Sequence, residues 1–171
     1  LVEFLGNDLS KISNEIDKLK IVLKDNTLIT ADMVEENIGI SKEYNNFELI
    51  NAVAYKNEAK AFGIAKYFAL NTKNNPFVVT TSLLYNFFSK LLQYHGMIYK
   101  NAGANPADIA KQLGINQYGL KDYQAASKIY PMKKVSQTIA VIREIDLKGK
   151  GVNGSLSHDD LLKELLIKVL R

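Results

Sequence analysis

From Phe77 to about Tyr99 the chain is apolar on more than one face, with Val78, Leu83, Leu84, Phe87, Phe88, Leu91, Leu92 and Tyr94 spread around a helical wheel. A helix of that kind cannot lie on a surface with one stripe turned inward; it has to be covered from several sides. The fold is therefore expected to wrap other helices around this one, within its own domain or across a subunit boundary. The rest of the sequence supplies them.

Before this helix, Leu5, Leu9, Ile12, Ile16, Leu19 and Leu23 repeat every three or four residues, a one-face helical stripe opening at Leu5-Gly6-Asn7-Asp8-Leu9. A stripe that begins this close to Leu1 leads to the expectation of a fragment that starts at a domain boundary of a longer protein. Thr30 is a good N-cap, followed by Asp32, Glu35 and Glu36, whose charges suit the positive end of a helix dipole, with Gly39 placed as a stop. Asn45-Asn46 precede a helix over Phe47–Tyr55 with apolar Phe47, Ile50, Val53 and Ala54. Lys56-Asn57 makes a tight turn, and Glu58–Leu70 returns with Ala61, Ile64, Ala65 and Phe68 inward. Helices joined this briefly pack antiparallel.

The polar segment Asn71-Thr72-Lys73-Asn74-Asn75-Pro76 is the clearest break and is expected to be a domain boundary. Beyond the apolar helix, Pro106–Leu113 is short and stopped by Gly114. Tyr118–Ile129 ends before Pro131. Met132 to about Leu147 turns Val135, Ile139, Ile142 and Ile145 inward. A glycine-rich loop, Gly149–Gly154, leads to Ser157, which caps a last helix carrying Leu161, Leu162, Leu165, Leu166, Val169 and Leu170. No segment reads as a convincing strand. The expected fold class is all-α: a bundle of three to four helices over residues 1–75, then one of about five over 76–171.

Composition narrows the function classes. The chain has no cysteine, which excludes disulfides, thiolate zinc sites and cysteine nucleophiles from this segment. No apolar run is long enough to span a membrane, so no membrane partner is expected. Residues 1–75 hold nine lysines against eleven acids, whereas residues 76–171 hold thirteen Lys/Arg against seven acids. A basic second half makes polyanion contact possible, although a solvated lysine-rich surface explains the same numbers.

Catalytic chemistry finds little footing. His95 and His158 are the only histidines, and neither has a second ligand at metal spacing. Asp159-Asp160 suits the first turn of a helix without invoking a metal. Gly149-Lys150-Gly151 follows a helix rather than a strand, so it is not a phosphate cradle. Ser82 and Ser89 have no nearby base. Catalytic, cofactor and metal residues are therefore all expected to be none. Ala107 to Ile115 does resemble the first half of a helix-turn-helix, with a second helix carrying Tyr118, Lys121 and Lys128. A DNA-binding regulator using residues 107–128 is accordingly the alternative reading.

Taken in order, these features resemble the delta subunit of the bacterial DNA polymerase III clamp loader. Gly6-Asn7-Asp8-Leu9 with Asn14-Glu15-Ile16-Asp17-Lys18-Leu19 resembles that family's entry into its helical lid domain, and Leu28-Ile29-Thr30 the next element. Phe47–Val53 and Ala59–Leu70 resemble the helix pair that closes the lid. Asn75-Pro76-Phe77, then Ile109-Ala110 with Leu113-Gly114-Ile115, Lys121, Gln124-Ala125 and Ile145–Gly149, resemble the collar domain. The resemblance implies a lid (1–75) and a helical collar (76–171) of an AAA+ module whose nucleotide-binding domain is not in this segment. It implies a role in DNA replication, helping to assemble the loader that opens the sliding clamp and places it on primed DNA. Partners would be other loader subunits through the collar, the clamp through the absent N-terminal domain, and primer-template DNA without sequence preference.

The resemblance further implies no enzymatic activity in this segment, no cofactor and a cytoplasmic location. Active AAA+ ATPases carry an arginine at the start of a lid helix. Here Asn7, Asp8 and Leu9 stand instead, in agreement with a subunit that does not hydrolyse ATP. Expected DNA contacts are Tyr118, Lys121, Lys128, Lys133 and Lys134, lysines on phosphates with Tyr118 as a stacking group. Expected subunit-interface residues are Phe87, Phe88, Leu91, Leu165 and Leu166.

Overall fold

The computed structural model describes residues 9–23, 30, 44–73, 75–101, 103–152 and 156–171. The Gly6-Asn7-Asp8 opening and the helix expected after Thr30 lie outside these residues. Two compact units divide between Asn45 and Asn46. In the first, α1 spans Leu9–Leu23. Its expected stripe is buried at Leu19, half-buried at Ile12 and Ile16, and exposed at Leu9. Lys18–Glu15 and Lys20–Asp17 pairs, at 2.7 and 3.0 Å, lie one turn apart on its outer side.

The second unit is all-α among its described residues. Its helices are α2 (Asn46–Ala54), α3 (Glu58–Leu70), α4 (Phe77–Lys100), α5 (Pro106–Leu113), α6 (Leu120–Ile129), α7 (Met132–Gly149) and α8 (His158–Leu170). Local chemistry sets most of the ends. Lys56 takes a left-handed φ of 54° to turn the chain between α2 and α3, and the Asn57 side chain accepts from the Lys60 amide at 3.1 Å. Asn105 caps α5 on the Ala107 amide at 2.9 Å, and Gly114 ends it at φ 61°, where a Cβ would be strained. Ser157 Oγ accepts from the Asp160 amide at 3.1 Å and donates to the Asp160 carboxylate at 2.6 Å.

Two boundaries differ from the sequence reading. The helix expected to start at Tyr118 opens with a separate 3-10 turn over Gln117–Gly119, capped by Asn116 on the Tyr118 amide. α7 runs on to Gly149, because Asp146 pairs with Lys150 at 2.6 Å and supports the last turn. A Cβ at Gly149 would run into the Phe77 ring, which stacks on His158 at 4.8 Å.

Six of the seven helices close on themselves, with α5 packed on α4 at the side. α4 packs on α7, α7 on α8, α8 on α3, α3 on α2, and α2 returns to α4 both directly and through α6. One core runs through all of them, from Leu49 and Val53 through Phe88 and Leu91 to Ile142, Leu165 and Leu170. The segment 71–76 is thus a connection inside this unit, and the unit boundary falls at 45/46 instead of 75/76. The physical reason is that α2 and α3 supply side chains that α4, α6 and α8 need for burial. A polar, proline-ended segment marks a tight helix–helix connection as well as it marks a linker: Asn71 and Asn75 donate to the Tyr67 and Asn71 carbonyls at 3.0 and 3.2 Å.

Tyr130, at the α6–α7 corner, ties the ring of helices shut. Its hydroxyl donates to the Val53 carbonyl at 2.7 Å, its ring meets Phe88 edge-on, and its own carbonyl accepts from His95 Nε2 at 2.8 Å. Burial pushes its phenol well above the ordinary value of 10.0, with the negative charge of Glu58 adding to the effect. Because ionisation is resisted only in the folded state, its contribution is complete below pH 10.0 and is lost as pH rises beyond it. Tyr130→Phe should cost about 1 kcal/mol at neutral pH, the Val53 carbonyl keeping its Lys56 amide. Tyr130→Ala should cost about 3–5 kcal/mol. Urea titrations from pH 7 to 11 should show a shallower alkaline loss in Tyr130→Phe than in the parent; parallel curves would contradict this account.

Candidate subunit and nucleic-acid surfaces

The five residues expected at a subunit interface are all interior. Phe88, Leu91, Leu165 and Leu166 are fully buried and Phe87 nearly so. The over-apolar character of the long helix is satisfied by α2, α5, α6 and α7 within the same chain. Those side chains are therefore inaccessible to a partner, and any interface must use the outward flanks of the helices.

The residues expected to contact DNA lie around α6 and the α6–α7 corner. Tyr118 stands on the 3-10 turn and is 84% exposed. Lys121 and Lys128 are exposed two turns apart on α6, and Lys133 is exposed at the start of α7. None of the three has an ion pair among the described residues. Lys134 differs: its Nζ donates to the Lys168 carbonyl at 3.1 Å, closing the C-terminal end of α8. The opposite face of α6 is packed, with Leu120 and Ala126 buried and Tyr123 against Phe87. Asp122 is held by the Tyr55 hydroxyl at 2.7 Å, a bond that raises the Tyr55 phenol. Burial, and then the Asp122 charge, raise Tyr123 as well.

A second surface was not anticipated from the sequence. On one flank of α4 and α7, Ser82 and Tyr85 face Ser136, Ile139, Arg143 and Leu147 across a groove. Two adjoining hollows of about 330 and 520 Å³ share Tyr85 and Arg143 as walls. Arg143 is exposed and has no hydrogen bond or ion pair among the described residues, while its acidic neighbours are taken. Asp146 receives Lys150 at 2.6 Å and the Thr81 hydroxyl at 3.3 Å. Glu144 receives Lys148 at 2.9 Å and Lys168 at 3.4 Å. One signal was present: Arg143 is one of two arginines among 22 basic residues, and arginine is favoured over lysine at interfaces.

Glu144 belongs to a closed ring of four charges joining α7 to α8. Lys148 also reaches Glu164 at 3.1 Å, and Lys168 reaches Glu164 at 2.7 Å. Hydrogen bonds from Lys148 and then Lys168 lower Glu144; bonds from Lys168 and then Lys148 lower Glu164, and both lysines are raised in return. The ring is solvent-accessible, so its worth is modest and salt-dependent.

The histidines and serines serve packing. His95 donates to the Tyr130 carbonyl, His158 stacks on Phe77 with Nε2 3.3 Å from the Gly149 carbonyl, and Ser82 Oγ donates to the Val78 carbonyl at 2.7 Å. Among the described residues no cluster of three or more His, Cys, Asp or Glu could hold a metal, and no helix is long and apolar enough to cross a membrane.

These features define an all-helical bundle whose distinctive groups lie on open surfaces rather than in a cleft of titratable side chains. The family described as DNA polymerase III delta subunit, C-terminal domain, matches residues 43–169, and the chain belongs to that family. It is 25% identical over all 171 residues to DNA polymerase III subunit delta of Bacillus subtilis (strain 168), spanning 48% of that protein. The solved structure of the Bacillus subtilis DNA clamp loader delta protein (YqeN) superposes with a TM-score of 0.59 at 25% identity, over 99% of this chain and 48% of that one. The chain thus spans about half the length of these relatives. The helix-turn-helix regulator is not favoured: the family match runs through residues 107–128, and α6 is wedged between α2 and α4.

Glu164→Gln opens the charge ring, and the sign of its effect follows from the lowered carboxylates. Their contribution is present above the ordinary value of 4.5 and is lost as pH falls through the lower folded value. The variant should melt below the parent at neutral pH, and the gap should close in molar salt and in acid. A gap unmoved by salt would assign the effect to packing.

Proposed function

We propose that this chain is the assembly region of a clamp-loader delta subunit acting in DNA replication. In this reading the unit Asn46–Arg171 is the collar, which joins the corresponding units of neighbouring loader subunits, and residues 1–45 belong to the lid. The observation that carries it is the agreement between two independent limits: the family match covers 43–169, and the compact unit covers Asn46–Arg171. The collar is accordingly longer, by α2 and α3, than the 76–171 expected from sequence. Contact with the sliding clamp is assigned to the half of the relatives that these residues do not span. No catalytic role, cofactor or metal is assigned to this segment, and the protein is placed in the cytoplasm with the replication machinery.

Deleting Asn46–Arg171 from the intact protein should abolish its co-elution with the other loader subunits in size-exclusion chromatography. Undiminished co-elution of the deleted protein would remove the assembly reading.

A second, compatible role is non-specific contact with primer-template DNA. It is supported by Lys121, Lys128 and Lys133, exposed and unpaired among the described residues, with Tyr118 beside them as a platform for an unpaired base. Lys134 is the weaker member, since it already serves α8. Changing Lys121, Lys128 and Lys133 together to Gln should weaken binding of the intact protein to primed DNA at low salt. The log–log salt slope should flatten by roughly 1 for each phosphate that is no longer neutralised. Binding that is unchanged at low salt would remove these lysines from the DNA surface.

A further inference from the structure

We propose that the groove between α4 and α7 receives a helix from a neighbouring loader subunit, apolar along one face and carrying a carboxylate that meets Arg143. The proposal rests on the assembly reading above and gives that reading a surface.

Shape favours a helix as the occupant. The larger hollow alone runs along α7 from Ser136 to Leu147, roughly 16 Å or three turns of helix, and the smaller one opens beside it over Ile142–Asp146. Small side chains, Ser82 on one wall and Ser136 and Ala140 on the other, let a third backbone approach closely. Tyr85, 49% exposed, and Leu147, 41% exposed, border the groove as large apolar surfaces with nothing on them. Side chains spaced i, i+3 and i+4 on an incoming helix would fill the long hollow, and a neighbouring side chain would enter the shorter one beside it.

Charge selects the partner. Arg143 offers an unused planar fork suited to a carboxylate, while Asp146 and Glu144 are neutralised by lysines of this chain. An approaching acidic group therefore meets one free positive charge and no free negative one. A second copy of the chain is a poor candidate, because residues 76–171 hold thirteen basic against seven acidic residues and like charge would oppose like. A different, acidic subunit fits.

The test uses the intact protein and the purified remaining loader subunits. Arg143→Glu reverses the free charge, Ala140→Arg blocks the floor, and Lys66→Glu on the exposed side of α3 is the matched control. All three sites are exposed on helices, and thermal melts verify folding. Arg143→Glu and Ala140→Arg should each weaken co-assembly by roughly tenfold or more, with Lys66→Glu unchanged. If the parent assembles and both groove variants assemble equally well, the groove is not the interface, while the assembly reading stands. If the parent itself does not assemble, both fall. If Arg143→Glu abolishes only self-association in sedimentation of the protein alone, the occupant is a second copy and the proposal is overturned.

Discussion

The second unit depends on one tyrosine. Tyr130 sits where the chain turns from α6 into α7, yet its hydroxyl bonds a carbonyl at the far end of α2, 77 residues earlier in sequence. Its ring supports Phe88 at the middle of α4, and its carbonyl receives His95 from the same helix. Three separate parts of the chain are thereby fixed in one place. Each link alone is worth about 1 kcal/mol or somewhat more. Together they hold the end of α2, the middle of α4 and the α6–α7 corner against one another, which is where the ring of six helices closes.

Closing the ring determines where function can reside. Once α2, α5, α6 and α7 surround α4, the most apolar residues of the sequence are spent on the interior. A long greasy helix and a leucine-rich terminal helix invite an interface reading. Phe87, Phe88, Leu91, Leu165 and Leu166 follow it in composition but not in geometry. What remains for recognition is the rim of each helix, where side chains are smaller and mixed, and where one arginine carries more information than five buried apolar residues.

The sequence made the elements legible because helix periodicity, caps and glycine stops are local. Glu58–Leu70 and Pro106–Leu113 end where Asn57, Asn71, Asn105 and Gly114 say they should. The inward face of α8 follows directly from its leucine spacing. The unit boundary was not legible, since the same Asn-rich, Pro-ended segment serves a tight connection and a linker equally. Only the nonlocal packing of α3 on α8 tells them apart. The α4–α7 groove was hidden for a related reason. Ser82 and Tyr85 lie more than fifty residues from Ser136 and Arg143, and no local pattern pairs two helix flanks. The status of Arg143 as a free charge depends on Lys148, Lys150 and Lys168 having already taken the neighbouring acids.

α4 separates the α6 part of the proposed DNA surface from the groove, whereas Lys133 stands on α7 one turn before Ser136, at the end of the groove. α6, with Lys121 and Lys128, packs on the side of α4 that carries Phe87, through the Tyr123 ring. The groove opens on the other side, along Ser82 and Tyr85. At 100° per residue, Phe87 and Tyr85 point in directions about 160° apart once the two-residue step is taken the short way round the helix. A subunit seated on Arg143 would therefore leave Lys121 and Lys128 of α6 open to solvent and to DNA. Charge strengthens the separation: an acidic helix in the groove neutralises the guanidinium nearest to it, while Lys121 and Lys128, unpaired within the described residues, keep their attraction for phosphate. Assembly in the groove and DNA contact through α6 can then proceed on one small unit, with Lys133 the one proposed DNA residue that the groove's occupant would border.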